Sequence, residues 1–155
     1  MTGFQPGQTP RSARNQPGLK LGTVTYNIAK DWDLPTLIKN LTDTGFEAVE
    51  LRTTHKHGVE ISLPASARAE VRKRFEDSPV KIGGLGTTCE YQSADRAVLR
   101  KNIDETGEWV RLARDLGSPS VKVRPNGLAK EVPEERTLEQ IGKRLEIHGL
   151  LETVP

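Results

Sequence analysis

The sequence predicts an α/β fold, a parallel sheet covered by helices, and three observations carry that prediction. Four segments rich in β-branched residues alternate with four helical patterns along the 155 residues. The strand patterns start near residues 20, 46, 80 and 120, far enough apart for a helix to return the chain each time. The runs AVEL and SVKV are too apolar for a sheet with one wet face. Right-handed crossovers then bring the C-terminal ends of all four strands to one rim.

The first strand is KLGTVTYNI, Lys20 to Ile28. A helix follows with Asp33 as N-cap, Pro35 in its first turn, and Leu34, Leu37, Ile38 and Leu41 on one face; Gly45 ends it. The second strand, Phe46 to Leu51, leads through a histidine-containing loop to a helix starting near Pro64 with Ala67, Val71 and Phe75 as its apolar stripe. The third strand, Val80 to Leu85, precedes a long helix capped by Ser93 or Asp95, with Val98, Leu99, Ile103, Val110 and Leu112 at helical spacing and Gly117 at its end. The fourth strand, Ser120 to Arg124, stops at the turn signal PNG. A last helical pattern begins near Pro133.

Composition excludes several classes of function. The 23 basic and 21 acidic residues are spread through the chain, leaving a net charge of +2 and no stripe for nucleic acid. No run reaches the ~18 apolar residues that a membrane span needs. The single cysteine, Cys89, excludes an internal disulfide, suits a reducing compartment, and reads as a small buried hydrophobe; a cytoplasmic protein is the expectation. Residues 1–18 hold three Pro, three Gly, four Gln or Asn and two Arg, a mixture that predicts a disordered tail ahead of one domain over 19–155.

The predicted rim collects Asn27, the 52–58 loop, Glu90 and the segment from Arg124 to Asn126. His55 and His57, two apart on an extended chain, point the same way and read as metal or sugar ligands, or as a solvated loop. Glu50 lies in an apolar strand, where an unpaired carboxylate is expensive; its partner is Arg52, Arg124 or a substrate hydroxyl. Lys122 and Arg124 alternate with Val121 and Val123 and share one side of their strand. Arg124 suits a phosphate or sugar acid, and Lys122 suits that or the balancing of a buried acid. Glu90 and Tyr91 follow a glycine-rich strand end and read equally as site or loop. GGLG lacks the spacing of a phosphate fingerprint. Trp32 and Trp109 read as packing residues, with Trp32 placed to stack on a sugar.

Taken together, GFEAVELRTTHKHGVE, IGGLGTTCEY, VKVRPNG and RLEIHG resemble the sugar phosphate isomerase/epimerase family with a xylose-isomerase-like TIM barrel. The resemblance implies a partial (β/α)8 barrel of four to five parallel strands with outer helices. It implies metal-assisted proton transfer adjacent to a carbonyl, with Mn, Mg, Zn or Co as the divalent metal and a small-molecule sugar or sugar derivative as substrate. Carried over by position, Glu146 is the metal ligand and proton-transfer base, on a fifth strand. Glu50, His57, Glu90, Lys122, Arg124 and His148 become substrate contacts. Leu138, Ile141, Leu145 and His148 also sit at helical spacing, so the Arg144 to Gly149 stretch reads as strand by resemblance and as helix by periodicity. A complete barrel takes ~250 residues and eight strands, so this chain corresponds to the N-terminal half. Half a barrel leaves two sheet edges unpaired, which predicts a homo-oligomer or a missing C-terminal half. The alternative is a non-catalytic fragment or carbohydrate-binding half-barrel that needs a partner.

Overall fold

Four parallel strands form one sheet in the order β1 (Gly22–Val24), β2 (Ala48–Arg52), β3 (Lys81–Gly86) and β4 (Val121–Lys122). The computed structural model describes residues 19–124 and 126–151, with the backbone alone for 147–151. The tail expected over 1–18 lies outside the described residues. Helices α1 (Leu34–Asp43), α2 (Ala65–Glu76), α3 (Arg96–Leu116) and α4 (Glu134–Leu151) follow the four strands in turn.

Local chemistry sets the helix ends where the sequence predicts them. Asp33 accepts from the Thr36 N–H at 2.9 Å to open α1, and Asp95, not Ser93, accepts from Ala97 at 2.7 Å to open α3. Gly117 closes α3 at φ +70°, a left-handed conformation that a side chain would strain.

The core lies between the sheet's outer face and the helices. Val49, Leu51, Ile82 and Leu85 are buried against Leu37 and Leu41 of α1, Val71 and Phe75 of α2, and Trp109 and Leu112 of α3. Val98, expected on the apolar face of α3, is 45% exposed. It falls in the first turn of the helix, beyond the part that covers the sheet. The β2–β3 register slips between Val49 and Glu50, so that Val49 faces Ile82 and Glu50 faces Gly84. This bulge buries both Ile82 and Leu85, three residues apart, where strict alternation would send them to opposite faces.

The inner face of the sheet is open. Gly22, Val24, Ala48, Glu50 and Gly83 line a concavity of about 530 Å³ on that side. Leu19 and Leu21 stand exposed beside the edge strand β1, and Leu138 and Leu145 stand exposed on α4. No fifth strand forms among the described residues. The stretch containing Glu146 and His148 continues α4, so the helical reading of RTLEQIGKRLEIHG holds and the strand reading does not. Apolar residues every three to four positions and no proline let the helix run on through Gly142 and Gly149.

Candidate functional site

The rim begins at Thr25, directly after β1 and fully buried. Its N–H donates to the Glu50 carbonyl at 3.1 Å, which extends the β1–β2 pairing by one residue. Its hydroxyl accepts from the Arg52 N–H at 3.0 Å and meets His55 Nδ1 at 2.8 Å. The loop after β2 is then pinned by one carboxylate. Glu60 accepts from the Thr53 hydroxyl at 2.7 Å and from the Thr54 N–H at 2.6 Å. Thr54 is held at φ +66°, and Asn27 in the neighbouring loop at φ +61°. A β-branched residue takes up a left-handed backbone only where its surroundings over-determine it.

His57 is a structural residue of this loop. It is 6% exposed, its Nε2–H donates to the Arg52 carbonyl at 3.0 Å, and its Nδ1 accepts from the Val59 N–H at 3.1 Å. Both ring nitrogens are occupied by backbone, which leaves none for a substrate. Burial pushes its pKa down to about 4, so the ring is neutral. Turns at 53–57 replace the extended chain expected around His55 and His57. Their rings meet edge to face with centroids 6.0 Å apart.

Two carboxylates stand on the rim with cations beside them. Glu50 on β2 accepts from Lys122 Nζ on β4, reaching across β3. The crossing depends on the glycines of GGLG: a Cβ at Gly86 would lie 2.7 Å from Glu50 Oε1, and one at Gly84 would lie 2.8 Å from Ser120 Oγ. The partner of Glu50 is therefore Lys122, not Arg52 or Arg124. Glu90, in the loop after β3, accepts from Asn126 at 2.6 Å and from Gln92 at 2.7 Å, with an Arg124 nitrogen 3.8 Å away. Its N–H is fixed by Asn102 of α3 at 2.8 Å, and the Arg124 N–H by the Cys89 carbonyl at 2.8 Å.

Behind this rim lie buried side chains. Cys89 and Tyr91 are buried, with burial raising both pKa values, and the Tyr91 hydroxyl donates to Thr106 at 2.8 Å. Gln140 ties α4 to the same loop through the carbonyls of Tyr91 and Ser93, at 2.7 and 3.0 Å. Trp32 packs against the core rather than standing free, and Trp109 is buried.

Of the site residues expected from sequence, Glu50 meets Lys122, and Glu90 meets Arg124. Glu146 is an exposed residue of α4 instead of the end of a strand. His148 lies on the same helix, and its side chain is outside the described residues. Gln92, Asn102 and Tyr26 join the rim without having been expected there. Tyr26, immediately after β1, carried the signal of an aromatic at a strand's C-terminal end.

No family model matches the chain, and no curated protein does. Among solved structures it is similar to the IOLI protein crystallised with a bound zinc atom, at TM-score 0.72 and 15% identity over 87% of this chain and 48% of that one. It is also similar to D-psicose 3-epimerase in the presence of D-fructose, at 0.64 and 16% over 86% and 50%. A third is a xylose isomerase domain protein from Planctomyces limnophilus, at 0.55 and 13% over 87% and 53%. The fold is half of a xylose-isomerase-like TIM barrel. The half-barrel spans about half the length of the solved structures it matches.

Zinc in one neighbour raises the question of a metal in this half-barrel. Among the described residues no three His, Cys, Asp or Glu side chains converge. Glu50 and Glu90 are already engaged by Lys122, Asn126 and Gln92, and His57 has no free nitrogen. The described residues do not by themselves fit a divalent ion, which needs several unpaired oxygen or nitrogen donors around one point. No helix of the described residues is long and apolar enough to cross a membrane.

Proposed function

We propose that this chain is the sugar-binding half of an isomerase/epimerase-type barrel, catalytic only when four further strands complete it. One observation carries the reading: two carboxylates, Glu50 and Glu90, stand on the C-terminal rim of the strands, each paired with a cation and held by side-chain amides or glycine clearance. That rim is the face on which barrels of this kind build their active sites. Alternating carboxylates, cations and amides offer a polyol both acceptors and donors, which is what a row of sugar hydroxyls requires.

Isomerisation or epimerisation moves a proton next to a carbonyl, and this needs a general base plus a group that polarises the carbonyl oxygen. The described rim offers hydroxyl contacts through the lone pairs its carboxylates keep beyond the bonds they accept from Lys122, Asn126 and Gln92, while half of an eight-stranded rim is still to be supplied. The chemistry is therefore assigned to the strands that would close the barrel, and the present residues to orienting the substrate. The exposed leucines beside β1 and on α4 support such a closure, since they are apolar surface that further βα units would cover.

Calorimetric titration of the chain with D-fructose tests the reading, because a neighbour is known with that sugar. Saturable binding that weakens at least about tenfold in Glu50→Gln and in Glu90→Gln is expected, the loss of one charge-assisted hydrogen bond. Absence of sugar binding, or binding indifferent to both substitutions, overturns it. Solvent deuterium exchange into the sugar is expected to be absent for the chain alone; exchange would mean that the base is already present.

A further inference from the structure

Two of the three inward cations at the rim have an acid and one has none. Alternation along β2 places Arg52 on the same face as Glu50. Lys122 is paired with Glu50 and Arg124 lies beside Glu90, while no carboxylate pairs with Arg52 among the described residues. The nearby acids are already engaged, Glu60 by Thr53 and Thr54 and Asp31 by Lys30. Arg52 is half-buried, and its guanidinium, lying over a Tyr26 that is 51% exposed, is open to an incoming anion.

Its position is held closely. The Arg52 N–H donates to Thr25 and its carbonyl accepts from His57, at 3.0 Å each, so both backbone groups are fixed by buried side chains. The guanidinium carbon lies 4.2 Å from the centre of the Tyr26 ring. A guanidinium held over a ring by a cation–π contact keeps N–H groups for a two-oxygen acceptor. Beside it, the Thr25 hydroxyl accepts from Arg52 N–H and so directs its own hydrogen to His55 Nδ1. The neutral ring then carries its proton on Nε2 as a further donor. Burial first, and the charge of Arg52 second, keep His55 below its ordinary pKa.

We infer that Arg52, stacked on Tyr26 and flanked by His55, is an oxyanion subsite, so that the sugar taken at this rim carries a carboxylate or a phosphate. The inference rests on the proposed sugar-binding function and narrows its substrate class. Arg52 is a binding residue in it, with no part in proton transfer.

The full chain is titrated with D-fructose, D-fructuronate, D-fructose 6-phosphate and inorganic phosphate, and again as Arg52→Gln. The expected result is that one of the two anionic sugars binds at least about tenfold more tightly than D-fructose, and that Arg52→Gln erases that preference. Which of the two is preferred distinguishes carboxylate from phosphate. A preference that survives Arg52→Gln, or no preference for either anion, overturns the inference. Arg52-dependent binding of the anions without any binding of D-fructose keeps the subsite and removes the sugar reading; D-fructose binding without anion preference does the reverse. No binding of any probe overturns both. Should Arg52→Gln fail to fold, the Arg52 side-chain Nε–H resonance of the unaltered chain gives the same answer: it must shift on adding the preferred anion and stay still with D-fructose.

Discussion

Glu50 and Lys122 stand on strands separated by a third and still form an ion pair, because the strand between them presents glycine at positions 84 and 86. Neighbouring strands lie about 4.8 Å apart, so the two side chains must lie flat over β3 to meet. Any Cβ at position 86 would occupy the path of the Glu50 carboxylate.

Gly86→Ala is therefore expected to displace that carboxylate from Lys122. Because a flexible side-chain end gives way, the stability change stays within about 1 kcal/mol, while the D-fructose affinity of the proposed site falls. Combined with Glu50→Ala, which removes the obstacle, the same substitution is expected to stabilise by roughly 0.4–1 kcal/mol through reduced freedom of the unfolded chain. Urea denaturation of the four proteins checks this sign reversal; a cost unchanged by Glu50→Ala would place the conflict elsewhere.

The buried His57 makes stability depend on acid. Its pKa of about 4 in the fold lies below the ordinary 6.5, so the unfolded chain takes up the proton first. The stability contributed is complete above pH ~6.5 and is lost as pH falls from there towards 4, about 3 kcal/mol in all. His55, also lowered, acts in the same direction. Thermal melts across this window should show the loss, and His57→Gln should flatten it; an unchanged slope in that variant would falsify the assignment.

Arg68 joins three segments. It donates to the carbonyls of Leu63 and Ile61 and to the Asp115 carboxylate of α3, each at 2.8 Å, with its side chain 16% exposed. Arg68→Ala leaves two carbonyls without their donor and should cost about 2 kcal/mol in urea denaturation. Arg68→Lys should recover less than half of it, since an ammonium cannot reproduce the fork.

Asp95 is the cap on which α3 starts. Asp95→Ala should lower stability by about 1 kcal/mol, and Asp95→Asn by only a few tenths, because the amide oxygen can still accept from Ala97. Equal losses in the two variants would show that the carboxylate acts there through charge rather than as a cap.

Sequence alone determined the alternation of strand and helix, the caps at Asp33 and Asp95, the glycine stop at 117, and the apolar faces of α1 and α2. These are local matters, settled by spacing and by backbone groups within a few residues of each other. The resemblance in VELR and the segments around it led to the right fold; Glu50 and Lys122 lie in β2 and β4, and Glu90 and Arg124 in the loops after β3 and β4. Pairing was another matter. Lys122 was chosen for Glu50 over two arginines by the bulge in β3 and the glycines it aligns, which no single strand reveals. His57 became a structural residue because turns bury it against the backbone of residues 52 and 59, and Glu146 left the rim because α4 runs on through Gly142 and Gly149. Arg52 was legible only as a charge at a strand end; that it has a ring beneath it and no acid beside it follows from how the loops after β1 and β2 fold over one another. Local propensity selects elements, whereas the partners of a polar group depend on which distant elements the packing brings within 3 Å.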